Sequence, residues 1–204
     1  SLVFSQVILD FKDDPLGHEA KYRNARISYF TGDFAWAQTQ LDALKASTSK
    51  LISNDAIDLS LLITDNFNLD TIFEPMEMYA RADLLIMQRK NHAAVLTLDT
   101  LLLNWPGHSL EDEILMVKGD LAVLDGDIES AVTFYTEVTE LHFDDITGDD
   151  AFFKLAELYD YELNNIAKAK ELYEKIIFEY SGSLNAIEAR KRFREINANE
   201  TVEQ

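Results

Sequence analysis

The chain has 204 residues, 37 of them acidic and 18 basic, for a formal net charge of −19. Seven glycines and three prolines leave few tight turns, which argues against a many-stranded sandwich or barrel, and 47% apolar residues are enough for a continuous core. Nucleic acid and anionic membrane both need Lys and Arg against phosphate, so this field disfavours them as partners of the whole molecule and permits a basic or neutral protein segment.

The apolar pattern has a helical period almost throughout. Phe4, Val7 and Phe11 predict the second half of a helix, followed by Asp14 as N-cap with Pro15 at the first helical position. Ala25 leads into the turn Thr31-Gly32-Asp33, and a second helix then carries Ala37, Leu41 and Leu44 on one face. Residues 54–67 predict an extra helix, and Thr71-x-x-Glu74 is a capping-box signature opening the next. Ala82, the turn Arg89-Lys90-Asn91, and Ala94, Leu98 and Leu101 then repeat the first arrangement. Gly119, Asp125-Gly126-Asp127, and Ala131, Tyr135 and Val138 repeat it again. So do Ala156, Asn164-Asn165, and Ala169, Tyr173 and Ile176. A last helix runs from Ser183 to about residue 197.

The four leading alanines are 57, 37 and 38 residues apart, close to a helix-turn-helix repeat with one extra helix in the first interval. The partner small residue lies 12 positions upstream in the first three units and 13 in the fourth, which predicts a turn one residue longer at Asn164-Asn165. Small residues at both places let two antiparallel helices approach closely.

Over roughly residues 15–182 these units resemble tetratricopeptide repeats, through Gly32-Asp33-Phe34…Ala37, Ala82…Ala94…Pro106, Gly126-Asp127-Ile128…Ala131 and Ala156…Ala169…Tyr173. The early Trp of the first helix is missing, and only one unit ends in Pro, a departure shared with divergent repeats of bacterial envelope and assembly factors. The fold class expected is all-α, a right-handed α-solenoid of stacked antiparallel helix pairs. Residues 1–14 would be the second helix of a truncated preceding repeat, 15–182 an array of about four units, and 183–204 a terminal capping helix and tail.

The resemblance implies a concave surface lined by the first helix of each unit. By repeat position it holds Tyr22, Arg26, Tyr29, Tyr79, Asp83, Ile86, Met116, Asp120, Val123, Phe153 and Glu157, with Asp160 or Tyr161 beside them. Aligned acids there favour Lys or Arg on a ligand. The carboxylate clamp of co-chaperone members is not carried over. Its positions hold Tyr22, Arg26, Ala80, Glu113 and Val117, of which only Arg26 is basic.

Other constellations have blander explanations. Asp144, Asp145, Asp149 and Asp150 crowd one loop but lack the calcium-loop glycine and glutamate, and fit the acid-rich start of a helix. His18, His92, His108 and His142 form no helical pair and read as surface or loop residues. The cluster Arg190-Lys191-Arg192-Phe193-Arg194 fits cations complementing a helix C-terminus, with Phe193 and Ile196 turned to the preceding repeat. Absent cysteines exclude disulfides and thiolate chemistry. No nucleophile elbow, phosphate loop or dinucleotide fingerprint occurs. No apolar run is long enough to span a bilayer.

The function expected is a non-catalytic protein-interaction scaffold, without metal or cofactor. The resemblance favours a periplasmic or outer-membrane-associated setting, with the cytoplasm open. Alternatives are a small-ligand or glycan receptor domain, which would need long insertions carrying exposed Trp, and a regulatory module of an enzyme.

Overall fold

The computed structural model describes residues 2–12, 14–45, 50–67, 72–144 and 147–202. Among them every regular element is a helix: α1 (Leu2–Asp10), α2 (Pro15–Phe30), α3 (Phe34–Lys45), α4 (Lys50–Phe67), α5 (Glu74–Met87), α6 (Asn91–Asn104), α7 (Glu111–Asp125), α8 (Ile128–Leu141), α9 (Gly148–Glu157), α10 (Ile166–Glu179) and α11 (Asn185–Val202). The fold class is all-α, built from consecutively packed helix pairs. The chain divides into two compact bodies, residues 1–110 and 111–204.

The small-residue ladders are the seams of these pairs. Ala37, Leu41 and Leu44 on α3, Ala94, Leu98 and Leu101 on α6, Ala131, Tyr135 and Val138 on α8, and Ala169, Tyr173 and Ile176 on α10 are all at most 1% exposed. Facing them, Ala25, Ala82 and Ala156 are equally buried. In the pair α7–α8 the approach is so close that a Cβ at Gly119 would lie 2.3 Å from Cε1 of Tyr135.

Each pair turns in one way. The residue five positions before the seam alanine is left-handed: Gly32, Arg89, Gly126 and Asn164, with φ of 79°, 59°, 77° and 51°. It closes the first helix as a Schellman cap, in which the next amide reaches back to a carbonyl five residues earlier (Asp33 to Ser28, Lys90 to Leu85, Asp127 to Ala122, each at 2.9 Å). Asp127 and Asn165 then cap the following helix through Ser130 N–H and Lys168 N–H.

The fourth pair corrects the expectation of a longer turn. Asn164 keeps its place relative to Ala169, so the extra residue lies upstream, inside the first helix. Residues Leu158–Glu162 form a π-helical turn continuing α9, and the cap amide of Asn165 reaches six residues back to Tyr159 O at 2.7 Å.

Helix direction is set by how many seams separate two helices. In the C-terminal body α7, α9 and α11 run the same way: Asp112 meets Thr147 and Asp120 meets Lys154, while Asp150 meets Asn185 and Asp160 meets Arg192. In the N-terminal body α4 packs on α3, with Gln38 Nε2 donating to Ser60 Oγ at 2.6 Å and Ala56 and Ile63 fully buried. That third helix reverses the direction of the next pair. Arg26 meets Met87, Tyr29 meets Asp83, and Gly32 faces Glu77, so α2 and α5 run antiparallel.

Other local expectations resolve individually. Asp14 accepts from Leu16 N–H at 2.8 Å with Pro15 opening α2. The capping position expected at Thr71 lies outside the described residues. His18 is buried at 8% exposure, contrary to a surface placement, because it sits on the inner side of the first turn of α2. The helix α11 continues to Val202, so the cations at 190–194 lie in its middle and not at its C-terminus. Phe193 and Ile196 do face the core of the C-terminal body.

Gly119→Ala should destabilise the C-terminal body by about 1–3 kcal/mol through overpacking, because Tyr135 is held in place by Asp120. Urea unfolding followed by far-ultraviolet circular dichroism reads this, and an unchanged midpoint would remove the close-seam assignment.

Candidate protein-binding surfaces

In the N-terminal body a groove of about 650 Å³ lies between α1, α2 and α5. One face of α2 supplies Glu19, Tyr22, Arg23, Arg26, Ile27 and Phe30, at the three- and four-residue spacing of a helix stripe. Phe4 of α1 and Leu84 and Met87 of α5 complete the walls. The Arg26 guanidinium lies over the Phe30 ring at 5.2 Å and near that of Tyr22 at 6.0 Å, and donates to Met87 Sδ at 3.7 Å. Arg23 pairs with Glu19 at 2.7 Å. Burial raises the Tyr22 phenol, opposed by Arg26 and reinforced by Asp55 and Asp58.

Behind this groove Tyr29 Oη donates to Asp83 Oδ2 at 2.7 Å, joining α2 to α5. Burial pushes the Asp83 carboxyl up to about 6, against the opposing pull of the Tyr29 hydrogen bond and of Arg26. Burial also holds the Tyr29 phenol well above its ordinary range.

In the C-terminal body Asp120 and Asp160 are answered internally. Asp120 Oδ1 accepts from Tyr135 Oη at 2.6 Å and from Lys154 Nζ at 2.5 Å. Asp160, drawn inward by the π-helical turn, is 3% exposed and accepts from Arg192 Nε at 2.6 Å and Nη2 at 2.8 Å, with Tyr173 Oη at 3.3 Å. Lys154 and Arg192 are 38 residues apart, the repeat interval of their seams, so α11 presents its cation as the first helix of a further unit does. Arg192 also lies over the Tyr161 ring at 5.0 Å, and its hydrogen bonds to Asp160 raise its basicity further. This bidentate pair, not the helix dipole, accounts for the inward turn of Arg192.

The residues expected in a groove therefore have different fates. Tyr22 and Arg26 line the N-terminal groove. Tyr29, Tyr79 and Met116 are buried at 1%, 5% and 7% exposure. Asp83 and Asp120 are committed to tyrosines, and Ile86 is half-buried. Phe153 packs against Tyr173 with ring centroids 6.1 Å apart, and Val123 is exposed. Glu157 is half-buried, and burial raises its carboxyl, with Lys154 opposing and Asp160 adding. Phe30, Ile27, Leu84, Met87 and Phe4 were not anticipated. Phe30 had a readable signal, since it extends the Tyr22–Arg26 stripe by four residues.

The acid-rich loop is structural where it is described. Asp149 accepts from Ser183 Oγ and Asn185 Nδ2, and Asp150 from the same Asn185 amide at 2.6 Å. These contacts tie the start of α9 to the start of α11, while Asp145 lies outside the described residues. Among the described residues no group of three or more His, Asp or Glu is placed to hold a metal ion, and no helix is long and apolar enough to cross a membrane.

Residues 150–183, spanning the fourth pair from the first turn of α9 to Ser183, match the family model described as tetratricopeptide repeat. The fourth helix pair is a tetratricopeptide-type repeat. Tetratricopeptide repeats generally serve as non-catalytic scaffolds for protein–protein interaction. No curated protein and no solved structure matches the chain.

The two ion pairs of the C-terminal body should differ in worth. Lys154→Met removes a partly exposed pair and should cost under about 1 kcal/mol, whereas Arg192→Met strands the buried Asp160 and should cost about 3 kcal/mol. Equal costs in urea unfolding would contradict the burial of Asp160.

Asp83 gives a pH signature. Its folded carboxyl titrates near 6 against an ordinary value of 3.8, so the folded state holds the proton more tightly. Its contribution is fully present below about pH 4, falls as pH rises towards 6, and is absent above. Both tryptophans, Trp36 and Trp105, lie in the N-terminal body, so their fluorescence in urea isolates it. Stability of Asp83→Asn relative to the unsubstituted protein should rise between pH 4 and 7. A difference independent of pH would show that Asp83 titrates normally.

Proposed function

We propose that the protein is a non-catalytic scaffold that holds a segment of another protein in the N-terminal groove between α1, α2 and α5. The observation carrying this reading is the groove itself: about 650 Å³, walled by Tyr22, Ile27, Phe30, Leu84 and Met87, with Arg26 at its side. Aromatic and Met side chains give large contact area, and Arg adds directional polar contact. The helices that position them are fixed by closed seams, so little ordering is needed on binding.

The C-terminal body supports a different role within the same scaffold. Asp120 and Asp160 are spent on Lys154 and Arg192, so these aligned acids serve the stack rather than attracting a basic ligand. A bacterial cell-envelope setting is the element of the proposal supported by resemblance alone.

Selection of binding peptides against the full chain, followed by affinity measurement on variants, tests the proposal. Phe30→Ala and Met87→Ala should each weaken a selected peptide roughly tenfold, equivalent to about 1.4 kcal/mol, while Val123→Ala leaves it unchanged. Peptides whose affinity ignores Phe30 and Met87 would place the binding surface elsewhere.

A further inference from the structure

A second cavity, of about 450 Å³, continues the N-terminal groove and shares Phe30, Thr31 and Leu84 with it. Its far side is lined by Glu74 and Glu77 of α5, with Arg81, and by Trp105. Glu77 extends over the turn between α2 and α3, since a Cβ built at Gly32 would lie 3.4 Å from its Oε1. The antiparallel run of α2 and α5 produces this arrangement. It puts the first turn of α5, where acids favour the helix dipole, at the opposite end of the groove from Arg26.

The two ends therefore differ in charge. At the first, Glu19 and Arg23 neutralise each other, which leaves Arg26 as the unbalanced charge of the lining, with Asp55 and Asp58 outside the lining but within electrostatic reach of Tyr22. Arg26 makes no ion pair among the described residues, and Asp83, an acid within reach of its charge, is committed to Tyr29. At the second, Arg81 offsets one of two glutamates and one negative charge is left over. Between them lie Phe30 and Leu84, with Tyr22 and Met87 on one side and Trp105 on the other.

We infer that this continuous groove takes a bipolar polypeptide segment: an acidic residue at Arg26, apolar anchors over Phe30 and Leu84, and a basic residue at Glu74 and Glu77. The inference rests on the groove being the binding surface and adds the chemistry and orientation of the partner. Complementary charge at two separated points fixes which way the segment lies, because the reversed segment sets acid against acid and base against base.

Three end-blocked fluorescent peptides with one common Leu- and Phe-containing centre test this on the full chain. One carries Glu at one end and Lys at the other, one Glu at both ends, and one Lys at both. Anisotropy titration at low salt should rank the bipolar probe tightest. Arg26→Glu should weaken it roughly tenfold and favour the all-Lys probe, and Glu74→Lys with Glu77→Lys should weaken it and favour the all-Glu probe. Arg26→Gln, which keeps a polar side chain, should weaken the bipolar probe without the switch. Leu84→Trp, which fills the shared middle, separates the two levels of the proposal. If it abolishes binding while the charge variants change nothing, the groove stands and the bipolar reading is overturned. If no probe binds, or Leu84→Trp has no effect, both are overturned.

Discussion

The chain reverses direction at every seam that a small residue closes, and the rest of the structure depends on that constraint. A helix can lie against its neighbour at this distance only where one side offers Ala or Gly. Ala25, Ala82, Gly119 and Ala156 provide that side, and the left-handed residue five positions before each opposing alanine provides the reversal. Left-handed geometry is natural for Gly32 and Gly126 and is carried at some strain by Arg89 and Asn164. Each reversal is therefore set locally, while the direction of any helix is set by how many reversals precede it.

That count explains why the two bodies present different surfaces. In the C-terminal body the pairs succeed one another without insertion, so α7, α9 and α11 repeat the same contact. A tyrosine of the second helix and a cation of the next first helix meet on one aspartate. The pairing is regular there, and the tetratricopeptide family model matches residues 150–183 within it. In the N-terminal body α4 adds one reversal. Asp83, which occupies the same repeat position as Asp120, then meets Tyr29 of α2 instead of a cation. The same inversion leaves Arg26 without a paired acid among the described residues, beside the groove.

The seams, the capping Asp14 and the extra helix were legible in the sequence because each is a local matter of spacing and residue type. Lys154 and Arg192 share a repeat position, yet their roles were hidden, since the sequence shows two cations and not which acid lies across from them. Asp160 was harder still. Its burial depends on a π-helical turn, and the additional residue that makes the turn reads equally well as a longer loop at Asn164-Asn165. Phe30 and Met87 were missed for a different reason. Repeat position alone assumes that first helices stack in parallel, and α5 does not.

The antiparallel relation of α2 and α5 is the claim on which the groove and its polarity rest, and thiol cross-linking measures it directly. The chain has no cysteine of its own, so introduced pairs report cleanly. With a short bifunctional thiol reagent, Arg26→Cys combined with Met87→Cys should cross-link readily, and Arg26→Cys with Met78→Cys should not. Efficient cross-linking of the second pair with loss of the first would mean that the two helices run in parallel, and the groove described between them would not exist.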